Sequence, residues 1–254
     1  MLNFIEHDGP RDGPPIVIAH GLFGSARNWG VIAKRLSSAR RVVVVDHRNH
    51  GHSPWAESHR YHDLAQDLAE VIEHIGAPCD LVGHSMGGKA AMVLAVTHPE
   101  IVARLCIADI APVPYDHDQS AFIHAMKSVD FSTVHKRSDV KDQLANLIDD
   151  PVLQTFFVQS VDIENKCWRL NLDVLAREMP HVLGFPNVSG RFEKLTLFLT
   201  GADSHYVQGE VRPLIKSMFP QARFAKLLGA GHWLHADKPR EFEAALRSFF
   251  GAEL

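Results

Sequence analysis

The sequence predicts an α/β fold, a mostly parallel central sheet flanked by helices, with a helical cap inserted into it. Three observations predict this. Short apolar runs, Ile16-Val17-Ile18-Ala19 and Val42 to Val45 first among them, end at polar or glycine-bearing turns. Runs of this length mark strands buried on both faces of a parallel sheet. Helical patterns alternate with them, as in a doubly wound sheet whose ligands bind beyond the carboxyl ends of the strands. Between Pro112 and Gly190 that rhythm breaks, and helical patterns follow one another.

The 254 residues, 46% of them hydrophobic, suffice for one α/β domain with an insertion and a large core. A net charge of -4 with no lysine or arginine run leaves no footprint for nucleic acid or an anionic membrane. The expected partner is therefore a small molecule; composition says nothing of oligomeric state. No segment approaches the ~18 apolar residues of a membrane span. The start, Met1-Leu2-Asn3-Phe4-Ile5-Glu6, has neither the basic region nor the apolar core of a signal peptide. With Cys79, Cys106 and Cys167 far apart and odd in number, a cytoplasmic, reducing location is expected.

The first buried strand, Ile16 to Ala19, ends at His20-Gly21-Leu22-Phe23-Gly24-Ser25. A histidine and glycine closing a central strand, then an apolar residue whose N–H can face a nucleophile, make Leu22 the expected second oxyanion donor, with a plain glycine turn between strand and helix as the alternative. A helical pattern from Asn28 to Leu36 leads to the strand Val42 to Val45 and then to Asp46-His47-Arg48-Asn49-His50-Gly51-His52-Ser53. Three histidines within six residues invite a metal reading, but no cysteine or acidic cluster supports one. Asp46 and Arg48 are expected to tie the turn down by charge-assisted hydrogen bonds. Tyr61 to Ile75 carries Leu64, Leu68, Val71, Ile72 and Ile75 at helical spacing, closed by Gly76 and Pro78.

Cys79 to Val82 is the next strand, and a helix opens at once at Met86. Between them stands Gly83-His84-Ser85-Met86-Gly87, a G-x-S-x-G elbow that throws Ser85 into strained geometry and tolerates no β-carbon at its glycines. Ser85 is the candidate nucleophile. The helix start aims free N–H groups and a positive dipole end at its hydroxyl, which makes the N–H of Met86 the first oxyanion donor.

Four separated pieces carry a family resemblance: His20 to Ser25, Gly83-His84-Ser85-Met86-Gly87-Gly88-Lys89-Ala90, Ile107-Ala108-Asp109-Ile110-Ala111-Pro112 and Gly231-His232-Trp233-Leu234-His235-Ala236-Asp237-Lys238-Pro239. Over nearly its whole length the chain resembles the α/β-hydrolase superfamily, and within it the bacterial YbfF esterases and the abhydrolase-domain-11 proteins. The resemblance implies an α/β-hydrolase fold with the cap after the sixth strand. Residues 1–111 and 191–254 are then the core, and 112–190 the cap.

Within the cap, helical patterns run from about His117 to Ser128, Ser138 to Asp149, Pro151 to Ser160 and Leu172 to Glu178; Val161 to Leu170 suits a small hairpin. Caps of this kind close a pocket to water and set substrate size. Phe122, Met126, Phe156, Phe157 and Trp168 are its large apolar residues, of which one or two are expected to touch substrate.

The sheet resumes with Leu195 to Thr200, a helix at Val211 to Phe219, a strand at Phe224 to Leu228 and a closing helix at Pro239 to Phe250. His232, on the glycine loop after the last strand, is the candidate general base, preferred over His235 because the latter lies where the next helix approaches. Two strand ends offer its carboxylate. Asp203 follows Gly201 but falls one residue short of the usual family position, which is Ser204 here. Asp109, one strand earlier, matches an aspartate of the resembling esterases. Asp109 is the expected acid, Asp203 the alternative and Ser204 an auxiliary hydrogen-bond partner.

The expected activity is hydrolysis of carboxylic esters through an acyl-enzyme on Ser85, without metal or organic cofactor; the resemblance implies small to medium acyl groups, and acyl thioesters as further substrates. A hydroxyl at the elbow argues against dehalogenation, which uses a carboxylate nucleophile. A C–C bond hydrolase, a lactonase and a slow or non-catalytic receptor remain alternatives on the same site.

Overall fold

A computed structural model describes residues 1–116 and 119–251. Strand β1 (Phe4–His7) leads through a Gly- and Pro-rich connection to β2 (Ile16–Ala19). Helix α1 (Gly30–Leu36) precedes β3 (Val42–Val45), four β-branched residues that suit a pleated strand. Then come α2 (Tyr61–Ile75), β4 (Cys79–His84), α3 (Met86–Thr97) and β5 (Val102–Ala108). The insertion holds α4 (Ser120–Lys127), α5 (Arg137–Leu144), α6 (Pro151–Phe157), the short strands β6 (Val161–Asp162) and β7 (Cys167–Trp168), and α7 (Leu172–Leu183). The core resumes with β8 (Thr196–Gly201), α8 (Arg212–Met218), β9 (Ala222–Leu227), α9 (Leu234–Asp237) and α10 (Pro239–Phe250).

The main sheet runs β1-β3-β2-β4-β5-β8-β9, with β1 antiparallel to β3 and the other pairs parallel. The mostly parallel sheet with flanking helices is the α/β-hydrolase fold. Alternate strand residues enter opposite layers, as a period of two dictates. Val17, Val43, Leu81 and Leu105 pack with α2 and α3, whereas Ile18, Val44, Val82 and Cys106 pack with Trp29, α1 and α10. Both faces are covered, which is why these strands read as unbroken apolar runs.

Ala19 pairs with Val45 on one side and Gly83 on the other. The chain builds outward from β2 in one direction, then crosses to β4 and builds in the other. The crevice of such a sheet opens at that reversal. Here it lies between the carboxyl ends of β2 and β4, beside Gly21 and Ser85.

Several details depart from the sequence reading. The insertion follows β5, the fifth strand in the chain and not a sixth, because the stretch from Gly9 to Pro15 between β1 and β2 holds three prolines and no strand. Strand β1 itself was not expected: it is short and half-exposed, with no apolar run to announce it. α4 begins at Ser120; His117 and Asp118, where that helix was expected to start, lie outside the described residues. α7 continues past Glu178 and through Pro180 to Leu183, and it buries Met179 and Val182. The hairpin expected within Val161 to Leu170 is present, turning at Lys166 with φ 50°. Among the described residues no helix is long and apolar enough to cross a membrane.

Candidate active site

The elbow forms because two chain crossings leave no room for side chains. A β-carbon on Gly83 would lie 2.5 Å from the Gly87 carbonyl oxygen, and one on Gly87 would lie 2.4 Å from the carbonyls of Ala19 and His20. Ser85 takes φ 52° and ψ -121°, and its N–H is held by the Ala108 carbonyl at 3.1 Å. Strain of this kind persists only where the surroundings over-determine it. A β-carbon on Gly21 would stand 3.2 Å from Ser85 Cβ, so the turn after β2 lies directly against the elbow. The N–H groups of Leu22 and Met86 find no acceptor among the described residues, and both residues line the cavity over Ser85.

His232 Nε2 lies 3.1 Å from Ser85 Oγ, and its Nδ1 lies 2.8 Å from Asp109 Oδ2. Asp109 is fully buried at the end of β5, in a positive-φ conformation (53°). Its Oδ1 accepts the N–H of Gly201 at 3.1 Å, and its Oδ2 also accepts the hydroxyl of Ser204. Asp203 is exposed, and its backbone N–H binds the Ala230 carbonyl at 3.0 Å. His235 stacks on Trp29 with centroids 4.0 Å apart, and burial pushes its imidazole down to about 3. The structure thus brings Ser85, His232, Asp109 and Ser204 together and leaves Asp203 outside.

Of the three histidines of the Asp46 turn, His47 and His50 both pack on the ring of His20, with centroids 4.9 and 5.2 Å away, and His52 stands apart. His50 accepts the N–H of Phe23 on Nε2 at 3.2 Å and donates from Nδ1 to the Arg48 carbonyl at 3.0 Å. His47 gives its N–H to Nε2 of His20, and His52 faces Arg169 at the surface. Among the described residues no group of three or more His, Cys, Asp or Glu is placed to hold a metal ion. Asp46 accepts from Asn3, Ala26 and His52, and Arg48 grips Asp67 with two nitrogens at 2.6 and 2.9 Å. Both tie the turn down, each through its own partners. Burial drives His20, His47, His50 and His59 toward their neutral forms, so His20 and His50 keep the acceptor nitrogens that hold the turn around Leu22.

Four further residues at the site were not singled out from sequence. His84, inside the elbow, donates from Nε2 to the carbonyl of His232 at 2.9 Å. Its imidazole is pushed well down by burial and then by the nearby rings of His235 and His232. Lys89, one helical turn beyond Ser85, donates to the carbonyls of Leu183 (2.9 Å) and Gly184 (2.5 Å) and ties α3 to the end of α7; burial pushes its ammonium down to about 7. Tyr206 lies on the ring of His232, and Tyr115 lies against Tyr206. The positions of His84 and Lys89 within the elbow motif were the available signal; nothing local marks the tyrosines.

A cavity of about 270 Å³ opens over Ser85 and His232. The insertion contributes Phe122, Leu153, Phe156, Phe157, Val182 and Leu183 to its wall. Three of the five large apolar residues expected of the insertion therefore face the cavity. Met126 and Trp168 instead pack inside the insertion, where the indole N–H donates to the Met126 carbonyl at 2.7 Å.

Residues 16–245 match the Alpha/beta hydrolase family. The chain belongs to that family. This α/β hydrolase is 41% identical to the sn-1-specific diacylglycerol lipase ABHD11 of Mus musculus, over 98% of this chain and 84% of that protein. It is 37% identical to the esterase YbfF of Escherichia coli K12, over 92% of each chain. Among solved structures it is similar to a marine microorganism esterase, with a TM-score of 0.91, 35% identity and coverage of 98% of this chain and 100% of that one.

Proposed function

We propose that this α/β hydrolase is a serine carboxylesterase acting on small to medium acyl esters, and on acyl thioesters, in a cytoplasmic setting. Relatives named esterase or lipase support ester hydrolysis in general. The observation that carries the finer reading is the chain of contacts from Ser85 Oγ through His232 to Asp109 at 3.1 and 2.8 Å.

In this reading His232 Nε2 takes the proton of Ser85, whose oxygen attacks the ester carbonyl. The N–H groups of Leu22 and Met86 hold the oxyanion, and Asp109 stabilises the imidazolium and fixes its tautomer. As the tetrahedral intermediate collapses, the same proton passes to the leaving alcohol or thiol. Water then attacks the acyl-enzyme, giving its proton to His232, and the acid leaves as Ser85 is restored. Residues 112–190 act as the cap that excludes bulk water, and the apolar wall they provide suits an acyl chain better than a charged group.

Hydrolysis of p-nitrophenyl esters from acetate to palmitate by the wild type and by Ser85→Ala tests this. Turnover that falls to background in the variant supports the reading, and the chain-length optimum sizes the acyl site. A folded wild type inactive on every ester overturns it in favour of a receptor or a hydrolase of another bond.

A further inference from the structure

The loop after β8 reaches both partners of the proposed proton relay. Its Ser204 holds Asp109, while two residues later the ring of Tyr206 lies on the imidazole of His232, with centroids 3.9 Å apart and planes 17° from parallel. Tyr206 is itself firmly placed. Its carbonyl accepts the Tyr115 hydroxyl at 2.6 Å, its N–H donates to Ser204 Oγ at 3.3 Å, and the Tyr115 hydroxyl accepts the N–H of Ala111 at 3.0 Å. A continuous set of contacts therefore runs from the end of β5, just past Asp109, to the face of His232.

We propose that Tyr206 is a positioning residue that holds His232 in its working plane and favours the imidazolium formed during turnover. The inference rests on the esterase reading above. An imidazole free to swing by half an ångström would lose either Ser85 or Asp109, and misplacements of that order are costly in catalysis. A flat aromatic stack resists that swing without competing for either ring nitrogen. The negative face of the phenol ring also attracts a cation lying over it. When the Ser85 proton arrives at Nε2, the charge forms directly against that face.

The face, and not the hydroxyl, is the working part, so Tyr206→Phe and Tyr206→Leu separate this from a merely structural role. Active sites are counted by titration with a fluorophosphonate, so that misfolded protein does not enter the rate. The Leu variant is expected to lose about tenfold in kcat per active site, between the sizes of an exposed and a desolvated cation–π contact. Its KM should stay within about twofold of wild type, the signature of an interaction made in the transition state. The Phe variant, which keeps the ring face, should lose clearly less than the Leu variant. Should the Leu variant fail to fold, Tyr206→Met removes the same face. The rate of fluorophosphonate reaction with Ser85 should fall in parallel and needs no ester. Full kcat in the Leu or Met variant, or an equal loss in the Phe variant, overturns the proposal. A wild type that reacts with the fluorophosphonate but hydrolyses no ester overturns only the esterase reading.

Discussion

The hydroxyl of Ser204 donates to Asp109 Oδ2, the same oxygen that lies 2.8 Å from His232 Nδ1. Two strand ends thus serve one carboxylate: β5 carries the acid, and β8 carries a hydroxyl aimed at it. With the N–H of Gly201 on Oδ1, three donors surround a fully buried group. Such donors fix the direction in which the carboxylate faces the histidine.

Asp109→Asn is expected to lower kcat by roughly 10³ to 10⁴, as loss of a triad aspartate does elsewhere, while Asp203→Asn does little. Steady-state kinetics on one ester with both variants decide between them. The reverse ranking would move the acid to Asp203.

Ser204→Ala removes one of the three donors and leaves Asp109 in place. A loss of about tenfold in kcat is expected, the scale of one hydrogen bond to a charged group. A loss as deep as that of Asp109→Asn would make Ser204 a principal member of the relay.

Gly201→Ala tests how closely the His232 loop must approach β8. An added β-carbon would lie 2.2 Å from the Gly231 carbonyl oxygen and 2.4 Å from that of Ala230, backbone atoms that move only with the loop. Activity should fall by about 10²-fold, the cost of an ångström-scale misplacement. Gly209→Ala, which meets nothing within 4 Å, serves as the control and should keep wild-type rates.

Buried neutral histidines make the fold acid-sensitive. Burial pushes His59 from 6.5 down to about 3, and His50 moves well down for the same reason. Between those two values for His59 the unfolded chain binds a proton that the folded chain does not. Stability therefore falls as pH drops from about 6.5 toward 3, by up to about 1.4 kcal/mol per pH unit for each such histidine. Urea denaturation across that range should show the slope, and His59→Gln should flatten it. An unchanged slope in the variant would show that His59 is not its source.

The strands buried on both faces were legible because their surroundings demand unbroken apolar runs, and α2 was legible from its helical spacing. The elbow was legible for a steric reason: only glycine fits where Gly83 and Gly87 cross their neighbours. β1 was not, since a half-exposed edge strand needs no particular residues. α7 ran on because burial of Met179 and Val182, with the Tyr61 hydroxyl on the Val182 carbonyl, outweighs the hydrogen bond that Pro180 forfeits.

By itself, then, the sequence determined the alternating architecture and the glycine-lined elbow at Ser85, because burial period and backbone sterics are written into neighbouring residues. The tertiary structure alone decided which carboxylate meets His232 and which ring covers it. Asp109 and His232 are 123 positions apart, and Asp109 and Ser204 are 95 apart. Their meeting depends on β5 pairing with β8 in one register and on the one-residue difference that turns Asp203 outward and Ser204 inward. Side chains of adjacent residues diverge, and only the assembled sheet shows which of them faces the site.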